Sequence, residues 1–430
     1  MQFVTRQYQI LFPRLPYAIR LLLNLAMLPV VLFWALPRLL FRMSRATSAD
    51  EAKIPEVTDL APGQFHMDVV PLSEVSAKPA TMVELAALVE ADDWDSFLAR
   101  TREIDSEGGR AEGAPLTYAA LRAARPRQIA FLAMHPDCSA IPGRDLPLDD
   151  IERLEHVFVH RHRDPQLAAL LAKAHLELAW ARRGGDYADA VTEDGWRGFQ
   201  MHLARANEIV SSFDARSEKS PMLAEITFNI ALASEWDAAA QEAAFKNCLM
   251  LNPRCWQAMS QRAFHLLPRW GGDYEQLERA ARQAMSDTHQ YGAAAYAAFY
   301  LRVLDCDEGA MFSCDPELFA EGLYDMAAAE DGDPVLVNQL IQHSIEIVTP
   351  SFALFGGAGE EEINARRAKF DTSSDAVFAA FFCCHVPEAW QGEADEITRL
   401  VRMMYANDLE AGRKVHLTQA RGIEISEMTA

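Results

Sequence analysis

Three clusters of side chains in this chain have types and spacings that could support chemistry. Glu152, His156 and His160 recur every fourth residue, with Arg161, His162 and Arg163 beside them. On a helix that spacing sets a carboxylate and two imidazoles on one face, a geometry a divalent metal can use. The pattern is not His-Glu-x-x-His, and no second carboxylate motif accompanies it. Basic residues near a helix C-terminus are also explained by the helix dipole. The expectation is no metal, with Glu152, His156 and His160 as the alternative.

Phe355-Gly-Gly-Ala-Gly359 has the small residues of a phosphate loop. It lacks the Lys and Ser/Thr such a cradle needs, and Glu360, Glu361 and Glu362 occupy the helix end where the phosphate would sit. A nucleotide site is excluded. Cys383, Cys384 and His385 put thiols beside a base. Adjacent residues on a helix point about 100° apart, and Phe381 and Phe382 beside them read as core. The seven cysteines (138, 248, 255, 306, 314, 383, 384) are odd in number and scattered, with no Cys-x-x-Cys pair. They indicate buried small hydrophobes in a reducing compartment, without zinc or a disulfide framework. No cofactor, catalytic residue or small-molecule substrate is indicated, and the chain reads as a non-enzyme.

Helices must position all of these groups. Leu167, Leu170, Leu171, Ala174, Leu178 and Ala181 lie on one face of a helix over 166–183, which Asp164-Pro165 starts. Gly184 and Gly185 end it, and Asp186 caps the next helix ahead of Tyr187. The same four residues recur as Gly271, Gly272, Asp273 and Tyr274, with Gln276 completing a capping box. Both copies read as tight turns between antiparallel helices. Thr81 to Glu84 is a second capping box, opening a helical hairpin over 81–104. Helical periodicity continues near 116–133, 149–161, 235–250, 254–267, 289–304, 361–371, 374–385 and 388–405, with Ser220-Pro221, Asp315-Pro316 and Asp333-Pro334 as further starts.

Gly-Asp-Tyr between Ala/Leu-rich helices resembles the internal turn of a tetratricopeptide repeat, and Met134-His-Pro136 and Leu251-Asn-Pro253 resemble repeat boundaries. Trp180 to Phe199 and Leu267 to Tyr274 resemble, more specifically, an uncharacterised bacterial domain family built on tetratricopeptide-like helices. The resemblance covers roughly residues 80–290. It implies a fold of stacked helical hairpins and carries no activity with it. The two Gly-Gly-Asp-Tyr turns lie 87 residues apart, not a multiple of that repeat's ~34 residues, so insertions or degenerate repeats intervene.

Five of the eight tryptophans (180, 196, 236, 256, 270) fall between 180 and 270. Large aromatics fill gaps between packed helices, and they also line peptide grooves. If a groove exists, Arg183, Trp196, Arg269 and Trp270 border it.

Residues 1–45 contain six arginines and no acid, leaving 34 basic against 62 acidic side chains in 46–430. So acidic a body repels nucleic acid and favours a neutral or basic protein partner. Between Leu21 and Pro37 only Asn24 is polar. Seventeen helical residues reach about 25 Å, slightly short of the ~30 Å hydrocarbon core, and residues 15–41 make up the length. Pro29 kinks the segment or turns it into a shallow hairpin, and Arg20 and Arg38 can snorkel. The arginines on the two sides balance. The free cysteines place the body on the cytoplasmic side of an inner membrane.

The expectation is an all-α, tetratricopeptide-like solenoid behind an N-terminal membrane helix. Its parts are residues 1–45 (membrane segment), 46–80 (Pro-rich linker, in which His66 to Val70 reads as one short extended piece), 81–290 (repeat domain), 291–416 (helical continuation) and 417–430 (frayed polar tail). Its function is that of a membrane-tethered scaffold binding a protein partner. The alternatives are a metal-dependent enzyme using Glu152, His156 and His160, and a soluble structural subunit.

Overall fold

Short polar residues followed by apolar stripes set most of the helices. In the computed structural model, described over residues 60–76, 78–106, 124, 149–161, 164–184, 188, 190–234, 237–348, 360–390, 397–398, 401–402 and 404–428, the chain is predominantly helical. After strand β1 (Phe65–Met67) come α1 (Leu72–Val75), α2 (Lys78–Glu90), α3 (Trp94–Ser106), α4 (Asp149–His160), α5 (Pro165–Arg183), α6 (Glu193–Val210) and α7 (Ala215–Glu218). Then follow α8 (Pro221–Ala233), α9 (Ala238–Leu251), α10 (Trp256–His265), α11 (Tyr274–Asp287), α12 (Ala294–Cys306) and α13 (Ala310–Ser313). The order closes with α14 (Pro316–Ala329), α15 (Pro334–Val348), α16 (Glu360–Arg367), α17 (Asp375–Phe381), α18 (Ala406–Glu410), β2 (Arg413–Thr418) and β3 (Gly422–Glu427).

The caps explain where helices begin. Asp164 accepts from the amides of Gln166 and Leu167 at 2.9 and 3.0 Å, and Pro165 needs no donor there. Ser220, Asp237, Asp273 and Asp315 act likewise at the starts of α8, α9, α11 and α14. Helix α5 is apolar almost all round and is buried along nearly its whole length, the behaviour of a central helix. It pairs with α6 in antiparallel register: Trp180 meets Phe199 at 5.0 Å, and His175 meets His202 at 5.3 Å between ring centroids. One core of buried side chains runs from Leu85 to Leu417.

Asp105 ties distant helices together from inside. It is 1% exposed and accepts from Met222 N at 2.8 Å, Gln166 Nε2 at 3.1 Å and Ser220 Oγ. Burial pushes its carboxyl above the usual range, against the lowering effect of the Ser220, Gln166 and Met222 bonds.

Several expectations are corrected. Thr81 does not cap a helix: α2 already begins at Lys78, because Pro79 suits a first turn, and Thr81 is buried within it. The short extended piece expected in the 46–80 linker is β1, but the second half of that linker belongs to the fold through β1, α1 and the start of α2. The expected frayed tail over 417–430 is instead largely strand: β2 and β3 form a hairpin, and β1 runs parallel to β2 with Phe65 opposite Val415. Alternation explains it, since Val415 and Leu417 are fully buried between more exposed neighbours. The helix expected over 374–385 stops at Phe381, and Val69 bridges His385 in extended backbone. The membrane segment (1–45, with 15–41 as its span), the helix near 116–133 and the glycine loop at 355–359 lie outside the described residues. Among the described residues no helix is long and apolar enough to cross a membrane.

Candidate functional site

The two glycine turns, far apart in sequence, bring their flanking residues together in space. Arg183 is the last residue of α5, and Gly184 follows with φ of +78°, turning the chain out of the helix. The Arg183 guanidinium lies 5.9, 5.3 and 5.6 Å from the ring centroids of Trp180, Trp196 and Trp270. Trp196 reaches it from the first turn of α6, and Trp270 from a single 3-10 turn, Pro268–Trp270. Trp180 and Trp270 meet edge to face at 6.3 Å. A cation faced by three indoles is held without a full shell of water.

A cleft of about 610 Å³ opens beside this cluster. Helix α5 contributes Lys173, Glu177 and Trp180, α8 contributes Asn229, and α10 contributes Gln261, Phe264 and His265. Arg269 and Trp270 come from the turn, and Arg302 from α12. Arg269 and Arg302 each place a guanidinium 4.5 Å from the centroid of Phe264. His265 stacks obliquely on Trp270 at 5.4 Å. Burial, reinforced by Arg302, pushes its imidazole down to about 4, so it is neutral at physiological pH. Lys173, Arg183, Arg269 and Arg302 thus line the cleft with one carboxylate, Glu177, which pairs with Lys173 at 3.6 Å. The cleft is suited to holding an anionic group against aromatic walls, with the Asn229 and Gln261 amides available for hydrogen bonds.

Of the groove residues expected from sequence, Arg183, Arg269 and Trp270 line this cleft, and Trp196 stands behind Arg183. Among the turn residues, Gly185, Asp186 and Tyr187 lie outside the described residues. Gly271 has φ of +88°, Asp273 caps α11, and Tyr274 donates to Asp307 Oδ1 at 2.8 Å, all structural work. Sequence reasoning missed Lys173, Phe264, His265 and Arg302. One signal for Arg302 was present, as it is the single cation in the mostly apolar α12.

Glu152, His156 and His160 are all exposed on α4, with the two imidazole rings edge to face at 4.9 Å. Among the described residues no three His, Cys, Asp or Glu side chains gather as a metal site would require.

A different histidine cluster, invisible in the sequence, lies between α4, α5 and α6. Arg205 holds Glu155 through two bonds of 2.8 and 2.7 Å, which keeps that carboxylate ionised, with His175 assisting. An ionised carboxylate only accepts, so His175 Nε2 carries the proton in their 3.0 Å bond. His175 Nδ1 is then bare and accepts from His202 Nδ1 at 3.0 Å. His202 Nε2 is left unprotonated, buried and without a hydrogen-bond partner.

No protein-family model matches the chain, nor does any curated protein or solved structure.

Proposed function

We propose that this chain is a non-catalytic adaptor. Stacked tetratricopeptide-like hairpins, tethered at a membrane through residues 15–41, receive an acidic segment of a partner protein in the cleft between Arg183 and Arg302. One observation carries the reading: four cations against one carboxylate on aromatic walls, in a chain of net charge −22. The bulk charge alone favours a neutral or basic partner, and the cleft reverses that preference locally. Beyond a Debye length of about 8 Å the acidic body is screened, so a short acidic stretch can enter if the partner around it is neutral or basic. An aromatic or aliphatic anchor on that stretch would pack against Trp180 and Trp270.

The test is affinity capture with full-length protein in mild detergent, beside Arg302→Glu and Arg269→Glu. Captured partners should share an acidic segment, and a synthetic peptide of that segment should bind roughly tenfold more weakly to either variant. Binding should also weaken as salt rises. A basic scramble binding as well as the acidic peptide, or full affinity retained in Arg302→Glu, would sink the reading.

A further inference from the structure

Helix α17 ends at Phe381 and residues 382–386 are not helical, with a bend at Cys384, so the angular separation expected of helical neighbours does not apply to Cys383 and Cys384. Their sulfurs lie 3.8 Å apart. Cys383 is partly exposed, whereas Cys384 is fully enclosed in a small cluster with Val70, Val386 and Ala389. The two thiols are in hydrogen-bond contact, and the enclosed Cys384 thiol is the one pushed up so that it keeps its proton, by its contact with Cys383 and by burial, because charge is less costly where water reaches. That contact with Cys384 lowers the Cys383 thiol below the ordinary cysteine range. Beside them His385 is 2% exposed, with neither ring nitrogen hydrogen-bonded.

We propose that Cys383 and Cys384 form a redox-reactive vicinal dithiol that a hydroperoxide closes reversibly to a disulfide. The Cys383 thiolate attacks the distal peroxide oxygen, breaking the O–O bond and releasing hydroxide or alkoxide. Cys383 is thereby oxidised to a sulfenic acid. The Cys384 sulfur then displaces the sulfenic oxygen, which leaves as water with the Cys384 proton, and the S–S bond forms. One peroxide is reduced and two thiols are oxidised.

Adjacent Cα atoms are about 3.8 Å apart, below the ~4.4 Å lower end usual for disulfides, so the ring is strained and readily reduced. The strain falls on a clasp. Asn338 Nδ2 donates to Cys384 O at 3.0 Å, and Val386 N donates to Asn338 Oδ1 at 3.2 Å. His385 N donates to Asp68 O, and Val70 N donates to His385 O, each at 2.9 Å. Closing the ring must turn the Cys384 carbonyl and loosen this seam between the chain's early and late segments.

The test uses full-length protein in mild detergent, treated with hydrogen peroxide, denatured, alkylated and mapped by mass. The peptide containing 383–384 should lose two hydrogens and escape alkylation, and dithiothreitol should restore both. Phenylarsine oxide, which bridges paired thiols, should protect the same peptide in the reduced wild type and not in Cys383→Ser. Three outcomes overturn the proposal. These are both thiols still alkylated at peroxide doses that oxidise a free cysteine peptide, Cys383 passing to sulfinic acid with Cys384 still alkylated, and either cysteine pairing with another one. The wild-type map decides even where a variant folds poorly.

Discussion

A buried imidazole that takes up a proton less readily than it would in water makes stability depend on pH. His202 is 6% exposed, and burial, with His175 and Arg182 nearby, pushes it down to about 4. Its folded value lies below its unfolded value of about 6.5, so the unfolded chain binds the proton more readily. The stability it contributes is present above pH 6.5 and is lost as pH falls toward 4, on the order of 3 kcal/mol in full. His202→Asn can still donate to His175 and does not titrate. Urea unfolding at pH 7.5 and pH 5 should therefore show a smaller acid loss in His202→Asn than in wild type. Parallel losses in the two proteins would refute this assignment. His175 and His202 were not legible in the sequence because nothing local pairs them. Their meeting depends on the register of α5 against α6, which a single chain does not display.

At the scale of elements, the two turn glycines do different work. Gly271 has φ of +88° and open space around a would-be Cβ, so Gly271→Ala pays only for the backbone, about 1 kcal/mol. A Cβ on Gly272 would sit 2.1 Å from the Leu266 carbonyl oxygen, a backbone atom that cannot swing aside. Gly272→Ala should cost roughly 3 kcal/mol or more and shift the α10–α11 turn, dragging Trp270 with it. Thermal unfolding of the two variants checks the order, and equal losses would contradict it. Starts of this kind were legible: Asp164, Ser220, Asp273 and Asp315 each sit where their side chains can take free amides. Ends were less so. Apolar periodicity through Phe381 and Phe382 runs on past the true end of α17, because strand and helix interiors are both apolar there. The cleft was half legible: Arg183 and Trp270 flank recognisable turns, but Arg302 and Phe264 join them only through packing.

At the scale of the whole molecule, the three-stranded sheet joins segments from opposite ends of the described chain. Gln64 Nε2 donates to Leu409 O at 2.5 Å, Val415 N to Gln64 O at 2.8 Å, and Asp68 N to Leu417 O at 2.9 Å. Leu417 is fully buried, so Leu417→Ala should cost roughly 3 kcal/mol. Hydrogen exchange should rise at the amides of Asp68 and Val70 as well as in the hairpin. A rise confined to residues 413–427 would mean that the two segments are not coupled. The seam was half legible: the run His66–Val70 reads as extended in the sequence, but its partner lies 350 positions away, Phe65 against Val415, and nothing local pairs them. The same pairing fixes an order of events at the ribosome. At about 5–20 residues per second, β1 emerges some 20–70 seconds before β2 exists to receive it. Through that interval the nascent chain carries an unclaimed strand edge, so a chaperone on the early segment, or slow release of the last codons, would govern how much of each batch of newly made protein closes correctly.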